Sequence, residues 1–274
     1  MKRNVYWTLG LILFFVVGCI INREVTASPS PRGFDVTTID VKENFTNRQG
    51  TFILRDLENG KTFVYNTKQA NERKTPQSTF KIPNALIGLQ VKAIKDEYEV
   101  KRWDGIKRSL DVWNQDHTLA SAMRYSVVWY YQDLARTIGE ASMQEWLGKC
   151  SYGNQDISGG IDHFWLDSSL KISPLEQADF LEKLYKEQLP FDKSVMKTVK
   201  RMMIQNEGDH YILYGKTGGG AEPPAGWFVG YIKVNQHPYL FVTYIDGEDA
   251  TGVKAKKITL EILKKYNLLL NEMK

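Results

Sequence analysis

One run, "TPQSTFKIPNALIGLQ" (Thr75–Gln90), limits what this chain can become. It sets Ser78 and Lys81 three residues apart, the spacing of one helical face. It then surrounds the lysine with Phe80, Ile82, Ala85, Leu86, Ile87 and Leu89. A surface helix carries a single apolar stripe, whereas this segment is apolar almost all round and reads as buried. A buried lysine without a counter-charge is costly and tends to release its proton. The start of such a helix also leaves backbone N–H groups unpaired beside the serine, suited to a developing oxyanion.

Two further Ser-x-x-Lys pairs occur, Ser168/Lys171 and Ser194/Lys197, in the polar contexts "DSSLKIS" and "DKSVMK". Both read as surface helix or loop. Only the first pair puts its lysine among apolar residues.

The 274 residues suit one large domain or two interleaved ones. "GTFILRDLENGKTFVYN" (Gly50–Asn66) alternates around Glu58-Asn59-Gly60 and predicts a β-hairpin. A mostly helical middle follows, from about Val100 to Met202. Within it, Ser173-Pro174-Leu175-Glu176 combines a capping serine, a first-turn proline and a reciprocal glutamate. Strand patterns return in "HYILYGKT", "GWFVGYIKV" and "YLFVTYID", and an amphipathic helix, "KKITLEILKKYNLLL", closes the chain. Strands at both ends predict one antiparallel sheet flanked by helices, with an all-α subdomain inserted: an α/β (α+β) architecture.

Residues 1–27 read as an export signal. Lys2 and Arg3 precede an apolar run to Cys19. "VVGC" resembles a lipoprotein box in which Cys19 would be lipidated, and "VTA" (Val25–Ala27) an ordinary cleavage site leaving residues 28–274 as the catalytic domain. Removal of 1–27 takes away Lys2, Arg3, Arg23 and Glu24, so the formal charge of +4 falls to +2. That near-neutrality, with "KTVKR" and "KAKK" as solvated faces, argues against a nucleic-acid partner. Cys150 is then the one thiol sure to remain; its helical context, "MQEWLGKC", reads as a buried inert position. His117, His163, His210 and His237 show no metal-ligand spacing, so no metal site is expected.

Four more pieces follow Ser78 and Lys81 in order: "SVV" (Ser126–Val128), "YGN" (Tyr152–Asn154), "FWLDSSL" (Phe164–Leu170) and "YGKTGGG" (Tyr214–Gly220). Alone, each would be a cap, a turn, a core tryptophan or a hairpin tip. Together, Ser-x-x-Lys, Ser-x-Val, Tyr-Gly-Asn and Lys-Thr-Gly form the ordered set of penicillin-recognising serine enzymes. With "STFKIPNALI" and "GWFVGY", the chain from about Phe45 onward resembles the class D, or oxacillinase-type, serine β-lactamases, in their Gram-positive-like branch. The resemblance implies the β-lactamase/transpeptidase-like fold and hydrolysis of β-lactam antibiotics, a small-molecule substrate, giving antibiotic resistance. The oligomeric state is left open.

The resemblance also implies roles. Ser78 would attack the lactam carbonyl, its N–H and that of Gly219 forming the oxyanion hole. Lys216, Thr217 and Gly218 would bind substrate, Lys216 and Thr217 at its carboxylate. Ser126 would pass a proton to the ring nitrogen. Lys81 would react with CO2 (bicarbonate) to give a carbamate, N6-carboxylysine, as general base. An apolar wall of Phe80, Val128 and Leu166 would keep the amine uncharged, Trp165 would hold the carbamate, and Tyr152 and Asn154 would support the site. No other cofactor is expected. One departure stands out: the arginine many members carry before the last helix is Ala255 here, flanked by Lys254 and Lys256. A β-lactam sensor and a slowly deacylating penicillin-binding protein are the alternatives.

Overall fold

The computed structural model describes residues 36–46, 48–221 and 223–269. The expected export signal, Cys19 and the boundary after residue 27 lie outside them. Chain order begins with β1 (Val36–Thr38), α1 (Lys42–Phe45), β2 (Gln49–Asp56), β3 (Thr62–Tyr65) and α2 (Thr67–Asn71). A 3-10 turn, Gln77–Phe80, then leads into α3 (Lys81–Gln90). The middle holds β4 (Val100–Lys101), β5 (His117–Thr118), α4 (Leu119–Arg124), α5 (Val128–Ile138), α6 (Glu140–Cys150), α7 (Pro174–Tyr185) and α8 (Lys193–Met202). The end holds β6 (Ile204–Glu207), β7 (Tyr211–Ala221), β8 (Pro224–Val234), β9 (His237–Asp246) and α9 (Gly252–Lys265).

Seven strands form one sheet in the order β1-β3-β2-β9-β8-β7-β6, so N- and C-terminal segments meet where β2 pairs β9. Every pairing in this sheet is antiparallel except at the edge, where β1 runs parallel to β3. A long crossover is normally needed for a parallel pair; here α1 and β2 separate β1 from β3 in the chain, and local alternation does not encode that pairing. One core lies between the sheet and the helical subdomain, around Phe80, Leu86, Tyr131 and Trp165. The other packs α9 on the opposite face, through Phe228, Ile232, Ile258 and Ile262. The capping box at α7 is complete: the Ser173 hydroxyl accepts from Glu176 N at 3.1 Å, and Ser173 N donates to the Glu176 carboxylate at 2.8 Å.

The last helix begins four residues before the expected Lys256, and two other boundaries that differ from the sequence expectation bear on the site. The buried helix opens as a 3-10 turn, because Pro83 has no N–H to give the carbonyl four residues back, so the α ladder starts only at Lys81. β7 runs beyond Thr217 through all three glycines to Ala221, held by continuous pairing with β8.

Candidate active site

In a 3-10 turn residues three apart eclipse one another. The opening turn therefore stacks Lys81 over Ser78, with Nζ 2.8 Å from Oγ. Lys81 is fully buried, Ser78 partly. Burial, and secondarily the charge of Lys216, lower the Lys81 pKa well below the ordinary lysine value. The Tyr131 ring lies under the amine at 5.5 Å.

A second lysine faces the same space from β7. Lys216 is buried, and its Nζ donates to Ser126 Oγ and to Thr217 O, each at 2.9 Å. Its pKa falls to about 7, first through burial and then through repulsion from Lys256. Ser126 adopts a left-handed backbone (φ 56°) in the tight step between α4 and α5, which presents its hydroxyl to Lys216.

The faces and edges of β7 follow from its glycines. A Cβ on Gly218 would lie 3.1 Å from Pro76 O, and one on Gly220 only 1.9 Å from Gln77 Nε2; these positions, with Lys216, face the Ser78 turn. A Cβ on Gly219 would point instead toward the start of α9, 3.4 Å from Gly252 N. Gly215 N–H donates to Met203 O on the β6 side at 2.8 Å, and pairing with β6 ends there. Because strand N–H groups alternate sides, Thr217 and Gly219 turn theirs to the open edge of the sheet.

Behind Ser78 the chain is braced. Phe80 stacks on Trp165 (centroids 5.2 Å) and meets Phe164 and Tyr152 edge-on at 5.0 and 5.8 Å. Gln177 Nε2 donates to Thr79 Oγ1 at 2.7 Å, and the hydroxyl of buried Tyr152 reaches Gln177 at 3.4 Å. Gly153 (φ 56°) leaves no room for a side chain against Lys171 O, and Asn154 bonds Ser169 O and Lys171 N at 2.9 and 2.8 Å. The Tyr-Gly-Asn turn thus ties down the 164–172 loop. That loop supplies Trp165, whose carbonyl accepts from Gln77 N at 2.8 Å, and half-buried Leu166; Val128 is likewise half-buried. The Trp165 indole Nε1 is buried with no acceptor among the described residues.

Of the other motif serines and lysines, Ser194 and Lys197 are exposed on α8. Ser168 packs against Gly159, and Lys171 Nζ donates to Thr75 Oγ1 at 2.5 Å, away from Ser168. Cys150 is buried, which pushes its thiol up to about 12. Lys254 pairs with Asp249 at the surface. Lys256 instead donates to Gln205 Oε1 at 2.9 Å, and Gln205 Nε2 bonds Gly215 O at 3.1 Å, next to Lys216. Burial and then Arg124 lower the Lys256 pKa. Among the described residues no group of three or more His, Cys, Asp or Glu could hold a metal ion.

Sequence reasoning missed Tyr131, Asn84 and Gln77. Tyr131 stands three residues after Val128 on α5, and Asn84 three after Lys81 on α3, so face spacing could have found both. Asn84 Nδ2 donates to Tyr131 O at 3.1 Å, fixing the two helices together beneath the lysine.

The arrangement supplies a hydroxyl beside an amine whose neutral form burial favours, a second hydroxyl beside a second buried lysine, and strand N–H groups at an open edge. That is the equipment for acyl transfer. The penicillin-binding protein transpeptidase domain family matches residues 36–264. Probable β-lactamase YbxI of Bacillus subtilis is 58% identical over 270 residues, covering 98% of this chain and 99% of its own. β-Lactamase OXA-48 of Klebsiella pneumoniae is 41% identical, covering 81% of this chain and 84% of its own. Among solved structures, class D β-lactamase BAT-2 matches with a TM-score of 0.82 and 64% identity, over 85% of this chain and 98% of that one.

Proposed function

The chain belongs to the class D serine β-lactamases, and on that premise we propose how its buried residues divide the hydrolysis of β-lactam antibiotics. Ser78 Oγ adds to the lactam carbonyl carbon as its proton passes to the basic group on Lys81 beside it, and the carbonyl oxygen takes the negative charge between the N–H groups of Ser78 and Gly219. One such donor is worth ~3 kcal/mol in comparable sites. The C–N bond then breaks, and Ser126 gives its proton to the ring nitrogen while Lys216 Nζ, 2.9 Å away, makes good the loss. A water completes the cycle by hydrolysing the ester. Lys216 and Thr217 receive the drug's carboxylate, with Lys256 as an added charge through Gln205 and the Gly215 carbonyl. Lys254, engaged by Asp249, is left out.

Family membership implies a carbamate on Lys81, and the residues fit that group. Burial favours the uncharged amine that CO2 requires, and the orphaned Trp165 Nε1 is a donor in want of an acceptor. Trp165 would hold it, with Phe80, Val128, Leu166 and Tyr131 excluding water. The carbamate supplies a general base when formed.

One observation carries this reading: a fully buried lysine 2.8 Å from a serine hydroxyl, with no carboxylate bonded to it among the described residues. Intact mass after mixing with benzylpenicillin tests it. A transient adduct with hydrolysed drug is expected, and none in Ser78→Ala. A lasting adduct without product would identify a sensor instead, and no adduct at all would end the acyl-enzyme proposal.

Export is proposed from residues 1–27, with lipidation at Cys19 preferred over release at Ser28. A single acyl chain holds only marginally, so stable attachment needs double acylation. Labelled fatty acid should enter the wild type and not Cys19→Ser; a mature N-terminus at Ser28 in every cell fraction would contradict it.

A further inference from the structure

Gln77, immediately before the nucleophile, carries two features that work against stability. Its backbone is left-handed (φ 52°) although it is not glycine, and the residue is 94% buried with its carboxamide oxygen unpaired among the described residues. Left-handed geometry and an unpaired buried amide oxygen are each unfavourable. An apolar side chain of equal length would remove the second defect. Strain retained beside a reactive group points to a task there.

The carboxamide's place indicates the task. It lies between the nucleophile turn and β7, with Nε2 occupying the space that a Cβ on Gly220 would need, 1.9 Å away, and Cδ 3.0 Å away. One residue earlier on β7 is Gly219; one residue later than Gln77 is Ser78. The contact therefore spaces the two chain segments whose N–H groups would hold the lactam oxygen. The substituent that distinguishes one β-lactam from another sits on the carbon next to that carbonyl, so it passes beside Gly219 and Gly220.

We propose that Gln77 is a positioning residue: its carboxamide, packed on Gly220, sets the gap between the Ser78 turn and the edge of β7, and so the size of acylamino side chain the site accepts. This rests on the hydrolase reading above.

The test is a double-mutant cycle read as the ratio of kcat/KM for benzylpenicillin to that for a cephalosporin with a bulky oxyimino side chain. Gly220→Ala should push the strand off Gln77 and lower this ratio at least tenfold, mainly through kcat for benzylpenicillin. In a Gln77→Ala background, where the space is empty, the same change should move the ratio less than twofold. Gln77→Met, which restores the bulk, should return the ratio to within twofold of wild type. If Gly220→Ala does not fold, Gln77→Ala against Gln77→Met decides alone, the first shifting the ratio and the second not. Equal effects of Gly220→Ala with and without the Gln77 side chain, or an unchanged ratio in Gln77→Ala, would overturn the proposal. Loss of penicillin turnover by the wild type would count against the hydrolase reading instead, so the two failures are distinct.

Discussion

Arg55 and Lys81 are both basic side chains buried to within 1% of complete enclosure, yet their surroundings are opposite. Arg55, on β2, donates to Asp179 at 2.9 Å and Glu182 at 2.6 Å on α7, and to Thr62 at 3.1 Å. Lys81 has a serine hydroxyl, the face of a tyrosine, and another lysine close enough to repel it. A buried charge with its counter-charges is part of the scaffold; one without them is held as a neutral base. The row of cations continues outward from Lys81 through Lys216 and Lys256 to Arg124, each lowering the pKa of the one further in. That gradient awaits an anion.

The largest effect expected is at the nucleophile. Ser78→Ala should abolish turnover and covalent labelling together, while Ser168→Ala and Ser194→Ala leave both intact; labelling lost in either of those, in folded protein, would mean the wrong pair was chosen. Next comes the contrast itself. Lys81→Met should cut turnover by about 10²–10⁴, the usual reach of a general base, yet raise the unfolding temperature by removing an amine that folding must deprotonate. Arg55→Met should do the reverse: kcat per folded molecule within about twofold, and stability down by ~3 kcal/mol, the low end for a broken buried pair because Asp179 is half exposed. Chemical denaturation of both variants checks this, and a stabilised Arg55→Met or destabilised Lys81→Met would erase the distinction.

A smaller effect concerns the gradient. Lys216 is charged below its pKa of about 7 and neutral above it. The KM for benzylpenicillin should therefore rise as pH climbs through 7 to 9, although a bound carboxylate favours the ammonium and shifts the rise upward. Lys256→Ala should raise that KM about tenfold, ~1.4 kcal/mol, and Lys254→Ala should not. The KM of a penicillin methyl ester, which lacks the charge, should respond neither to the rise from pH 7 to 9 nor to Lys256→Ala. An ester as sensitive as the acid would assign Lys256 to structure.

Much of this was legible because it is periodic. Alternation around Gly60 located the first hairpin, Ser173-Pro174-Leu175-Glu176 located the start of α7, and the unbroken apolar run after Ser78 foretold the burial of Lys81. Non-local pairing was not legible: the parallel seat of β1, and the extension of β7 across its glycines, depend on partners distant in sequence. The site showed the same division. Ordered motifs named Ser78, Lys81, Ser126 and Lys216, and the structure brings these into two bonded pairs. Tyr131 and Asn84 sit one helical turn from motif residues but belong to no motif. The left-handed turn at Gln77 accompanies its bond to Trp165, 88 positions away, and no local propensity would suggest it.

The claim on which the rest depends is that Lys81, stripped of counter-charge, reacts with CO2. Carbon-13 NMR of the protein in labelled bicarbonate reads this directly. The account predicts one carbamate resonance in wild type, absent in Lys81→Ala, weakened in Trp165→Phe, lost on acidification and regained with bicarbonate at neutral pH in step with turnover. Full turnover in bicarbonate-free buffer with no such resonance would show that Lys81 works as a plain amine, and the proposed base would have to be given up.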